Sequence, residues 1–216
     1  MAKHLNSADA RIAARIRERG EGWVFTPADF ADLGSRTAVA TALARRKRAG
    51  TIRQISRGIY DVPRRHQRLG SLAPPIEAVV EAMKSRDAVR VQPTGAYAAN
   101  LLGLSDQVPT RIVFITDGPE RRMKIGNVEI AFKHTTPRFM ATAGRVSGSV
   151  IQALRWLGKI AVNAKVVRHL RRTLDDHAKQ QLLADIRHAP AWIAEAIRAI
   201  CAPDAVRPRR GVRRGR

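Results

Sequence analysis

Residues 26–62 constrain this chain more than any other stretch. Thr26-Pro27-Ala28-Asp29 supplies a hydroxyl N-cap, a proline at the first helical position and an acid at the positive end of the helix dipole. That start predicts a short helix with Phe30 and Leu33 facing inward, closed by Gly34. Ser35 then caps a further helix that runs to about Ala49. Its inner face is Val39 and Leu43, four apart, helped by Ala38 and Ala42. Its outer face is Arg36, Thr37, Ala40, Thr41, Ala44, Arg45 and Arg48. After Gly50, two short apolar runs flank Ser56-Arg57-Gly58 and read as a β-hairpin, with Arg53 on its first strand and Arg57 at its tip.

An amphipathic helix over Asp9–Arg19 precedes these elements, with Ile12 and Ile16 inward, and Trp23-Val24-Phe25 reads as one extended segment. Two short helices about a glycine turn, followed by a hairpin, is the winged form of the helix-turn-helix pattern. The outward residues of the second helix of that pair are small or basic. Such a face can sit deep in a DNA major groove ~12 Å wide, where Leu or Trp would hold it off. The residues expected to contact duplex DNA are Ser35, Arg36, Thr37, Thr41, Arg45 and Arg48 on the helix, and Arg53 and Arg57 on the hairpin. Ser35 is foremost a cap, and Trp23 and Phe25 are core residues rather than stacking platforms.

Charge agrees with a polyanionic partner. The chain of 216 residues carries 40 Lys and Arg against 18 Asp and Glu, a formal net charge of +22. With 44% hydrophobic residues it can nonetheless build a core. Domain boundaries are expected at Pro63-Arg64-Arg65-His66 and again near Pro203: a DNA-binding domain over 1–66, an α+β domain over 67–202 and a disordered basic tail over 203–216. The lone Cys201 excludes an intramolecular disulfide and paired-thiolate zinc. No apolar run is long enough to span a bilayer. A soluble, cytoplasmic protein without a membrane role is the expectation.

The second domain reads as α+β. Helical spacing marks residues 75–86 and the helix that Thr94 caps, while 88–91 is strand-like. Arg111–Thr116 is the best strand, and residues 122–133 alternate on both sides of Gly126-Asn127, a hairpin signal. Apolar stripes from Val150 to Ile200 make the remainder helical.

Catalytic chemistry has no foothold. There is no phosphate-binding loop, and Ser147 in Gly144-Arg145-Val146-Ser147-Gly148 lacks the feeding strand of a nucleophile elbow. Asp175 is a cap and Asp117 a turn residue, and the histidines show no metal-ligand spacing. No enzyme, cofactor or metal is expected. Tyr97, Asn100, Arg138 and Arg145 are the polar candidates for a functional surface. RNA is a weaker alternative partner, because few aromatics are available to stack unpaired bases.

Several blocks resemble the AbiE-type (abortive-infection) antitoxins, transcriptional regulators of type IV toxin–antitoxin systems. They are Gly22–Phe30, Ser35–Val39, Ser56–Pro63, Gln92–Ser105, Arg111–Pro119 and Thr135–Arg138. The resemblance implies that the winged helix represses the promoter of its own operon, with repeated half-sites as the expected target. It implies that the C-terminal domain opposes a co-encoded nucleotidyltransferase-like toxin, with no stable complex required. A stand-alone DNA-binding regulator is the alternative. The Arg-rich tail lies outside the resemblance.

Overall fold

The computed structural model describes residues 7–107 and 109–203. The Arg-rich tail from residue 204 onward lies outside the described residues.

Helix α1 (Ala8–Arg19) begins where Ser7 accepts a hydrogen bond from the Ala10 amide at 3.1 Å. It buries Ile12 and Ile16. Strand β1 (Val24–Phe25) follows, then a single 3-10 turn over Pro27–Phe30 where the sequence suggests a short α-helix. Asp29 accepts from the Thr26 amide at 2.7 Å and from the Thr26 hydroxyl at 2.9 Å. The next bonds run i→i+3, Ala31 N–H to Ala28 and Leu33 N–H to Phe30. Eight residues between two caps cannot repay an α-helical nucleus, so the tighter turn wins.

Helix α2 (Arg36–Arg48) starts at Ser35, whose hydroxyl accepts from the Ala38 amide at 3.3 Å, and it buries Val39, Ala42 and Leu43. Strands β2 (Arg53–Ser56) and β3 (Ile59–Asp61) form the expected hairpin, turning through Gly58 at φ +71°. β3 pairs with β1 and β2 on its two sides, making a three-stranded antiparallel sheet. Phe25 and Phe30 are fully buried and meet edge to face at 5.4 Å, and Tyr60 stacks on Phe25 at 5.8 Å. Burying each such ring contributes about 1.5–3 kcal/mol.

The polar run after Pro63 is not an open linker. Strands β4 (Arg65–His66) and β5 (Gly70–Ser71) pair there as a small hairpin. Helix α3 (Ile76–Asp87) then packs against β1 and β3. Ile59 accordingly belongs to the core of the second part, with Val79, Met83, Phe114 and Ile130, and Val24 and Ile55 pack beside it. The first sheet thus serves two cores, one on each face.

α3 ends at Ala88, which takes the left-handed cap conformation (φ 52°), so the strand expected at 88–91 begins three residues later as β6 (Val91–Pro93). Helix α4 (Gly95–Leu101) follows. β7 (Arg111–Thr116), β8 (Arg121–Ile125) and β9 (Val128–His134) complete a four-stranded sheet in the order β6-β7-β9-β8. β8 and β9 turn at Gly126-Asn127, and β7 runs parallel to β9 while the other pairs are antiparallel.

The rest is helical: α5 (Val146–Ala161), α6 (Ala164–Thr173), α7 (Asp176–Ala184) and α8 (Ala191–Cys201). Leu154, Leu170, Leu182, Ile193, Ile197 and Ile200 are fully buried in their shared core. Asp175 caps α7, accepting from the Ala178 amide at 2.7 Å. α5 is interrupted at Gly158, whose φ of 78° is not helical. The chain is α+β. Among the described residues no helix is long and apolar enough to cross a membrane.

Candidate nucleic-acid interface

α2 offers solvent one face of small and basic side chains. Arg36, Thr37, Ala40, Thr41, Arg45 and Arg48 are exposed, and Ser35 is exposed at the cap. The side chains of Arg36, Thr37, Thr41 and Arg48 have no partner within the described protein. Arg45 lies 3.3 Å from Asp9, in an exposed pair that contributes little to stability.

Other arginines near this face are spent on holding it. Arg11 donates to the Leu33 carbonyl at 2.8 Å, and Arg15 donates to the Asp29 carbonyl and to both oxygens of Asp32. These bonds pin the turn that aims α2. Gly34 closes the turn against α1, because a Cβ there would stand 2.9 Å from the Cβ of Ala8. Arg46 bonds the Asp9 carboxylate at 2.7 Å and holds it below the usual carboxylate range. Lys47 ties the far end of α2 to Gln54 of β2 at 2.6 Å.

The two hairpin arginines part company. Arg53 spends its guanidinium inside the protein, on Asp61 at 2.6 and 3.0 Å, on the Ser71 hydroxyl and on the Leu72 carbonyl. Asp61 is 1% exposed, so this pair is structural: removing Arg53 strands a buried carboxylate. Arg57 is exposed at the tip, and its side chain is unpartnered.

Sequence reasoning missed two further residues. Arg36 and Arg57 line a cleft of about 590 Å³ whose opposite wall carries Arg86 from α3 and Arg121 from β8. Arg86 donates to the Arg57 carbonyl, docking the hairpin tip on α3. Asp87 accepts from Arg86 at 2.8 Å and from Arg121 at 2.6 Å, and that of Arg86 above all depresses its pKa. Asp87 is the one carboxylate against four guanidiniums in this lining, so the cleft is strongly cationic. No sequence signal joins positions 36, 57, 86 and 121, because only the tertiary fold does.

The four polar candidates of the second part do not converge. The Tyr97 hydroxyl donates to Glu77, and burial, aided by that carboxylate, pushes its pKa up. Asn100 closes the loop after α4, donating to the carbonyls of Ser105 and Gln107. Arg145 pairs with the buried Asp185 at 2.7 Å. Arg138 is exposed and sits in a different cleft from Tyr97 and Arg145. Among the described residues no group of three or more His, Cys, Asp and Glu could hold a metal ion.

Residues 11–182 match the model of a family of unknown function, DUF6088. The chain belongs to the DUF6088 family. No curated protein and no solved structure matches it. The DUF6088 match takes in most of α1, all of α2, the hairpin, the four-stranded sheet and the helices through most of α7, so the basic cleft lies wholly within it.

Proposed function

We propose that this DUF6088 protein is a DNA-binding transcriptional regulator whose residues 8–62 act as a winged helix-turn-helix. α2 is its recognition helix and the β2–β3 hairpin its wing. The observation that carries this reading is the exposed face of α2, on which Arg36, Thr37, Thr41 and Arg48 are unpartnered and Thr37, Ala40 and Thr41 are short enough to admit the backbone to a major groove. Arg36 supplies the fork for a bidentate guanine contact, and Arg57 reaches phosphate from the wing. Arg53 braces the wing from within.

The same proposal extends to the system. The protein represses its own operon and, through its second part, opposes a co-encoded nucleotidyltransferase-like toxin in the cytoplasm, as the likeness to AbiE-type antitoxins implies. It needs no cofactor and performs no catalysis.

Footprinting on the DNA upstream of its own gene tests the first half. Protection of paired half-sites is expected. Arg36→Ala is expected to cost ~1–3 kcal/mol on that operator and much less on a scrambled duplex. Equal losses on both duplexes would remove α2 from base recognition. Co-expression tests the second half: the downstream toxin gene alone should arrest growth, and the full chain should relieve it.

A further inference from the structure

A second cleft lies far along the chain from α2. It measures about 260 Å³ and is lined by Arg138, Phe139 and Thr142 from the loop after β9, by Gln152 and Arg155 from α5, and by His188. Phe139 is 42% exposed, although large aromatic rings are usually buried. The Arg155 guanidinium lies over that ring, 5.1 Å from its centroid. No acid lines the cleft, and neither Arg138 nor Arg155 has a carboxylate partner among the described residues.

The walls are fixed in advance. The loop is a run of tight turns, with the amides of Phe139, Met140 and Ala143 each bonded three residues back and Met140 fully buried beneath. The opposite walls are clamped together: Ser147 and Arg145 at the start of α5 bond Asp185 at 2.5 and 2.7 Å, and Asp185 directly precedes the turn that carries His188. Asp185 is 2% exposed. Arg145 is therefore a positioning residue for this cleft.

We propose that this cleft binds a single nucleotide unit. The base lies on the face of the Phe139 ring that Arg155 leaves free, the phosphate is held by Arg138 and Arg155, and the Gln152 amide and His188 ring meet the base edge. A part-exposed ring backed on one face by a planar guanidinium is a surface on which proteins stack unpaired bases. Two unneutralised guanidiniums supply the anion partner. The volume, just below the ~300–1,000 Å³ range of small-ligand pockets, admits part of one nucleotide with the rest in solvent and excludes a duplex. This site is independent of the α2 reading.

Calorimetric titration of the full chain with AMP, UMP, a short single-stranded oligo-U and inorganic phosphate tests it. Phe139→Ala is expected to weaken nucleotide binding roughly five- to 150-fold, with the chain still folding cooperatively because the ring is 42% exposed. Arg138→Ala is expected to weaken it and flatten its salt dependence. Both variants should bind the operator duplex as the parent does. Oligo-U binding much more tightly than UMP would assign the site to a strand, and equal binding to free nucleotides; either supports the proposal. No nucleotide binding, or binding indifferent to Phe139→Ala, or phosphate competing as well as AMP, would overturn it.

Discussion

α2 and α6 are both short, capped, basic helices, yet they present different surfaces. α2 interleaves its arginines with Thr37, Ala40 and Thr41, whereas the exposed face of α6 is Lys165, Arg168 and Arg172, with Thr173 at its end. Long cations keep a polyanion at arm's length and feel its phosphates through solvent. Short side chains let a backbone come close enough for base edges to matter. The contrast teaches that charge recruits nucleic acid and bulk decides whether it can be read.

The largest test of that contrast is structural. Leu43→Ala and Leu170→Ala each remove a fully buried side chain from separate cores, and each is expected to cost ~2–5 kcal/mol in urea denaturation. Under conditions where both variants stay folded, only Leu43→Ala should impair operator binding, because only α2 shifts against the groove. Loss from Leu170→Ala alone would turn the comparison round.

A sharper test adds bulk without removing anything. Ala40 is exposed, so Ala40→Trp should leave stability within about 0.5 kcal/mol. It is expected to weaken operator binding roughly tenfold or more, by about 1.4 kcal/mol, in a gel-shift titration. Thr173→Trp on α6 should do nothing in the same titration.

The smallest effect separates reading from gripping. Arg121→Ala in the basic cleft beside α2 should lower the salt slope of duplex binding by about 0.9 and weaken all sequences alike. Arg168→Ala should leave that slope unchanged. A reduced slope for Arg168→Ala would place α6 within the same footprint as α2.

What could be read in advance was local. β7 emerges at its expected bounds because Ile112-Val113-Phe114-Ile115 is an unbroken β-branched and aromatic run between polar ends, and the β8–β9 hairpin because Gly126-Asn127 admits the positive φ its turn needs, 57° at Gly126. The caps Ser35 and Asp175 were legible because one side chain and one amide three residues on suffice. What escaped was long-range. The parallel pairing of β7 with β9 and the meeting of Arg36 with Arg121 depend on crossovers that leave no periodic trace. Arg53 is instructive between these extremes. Its partner Asp61 is its cross-strand neighbour, so the hairpin register, once fixed, already removes it from the free cations.

Ile59 has a consequence for how this molecule can be handled. A fragment cut after residue 66 would carry that residue, with Val24 and Ile55 beside it, stripped of the α3 surface that covers them. The severed module would be sticky at its back even with its front intact. Whatever α2 engages, it does so with its angle dictated by the rest of the chain, as a key tooth is by its blade.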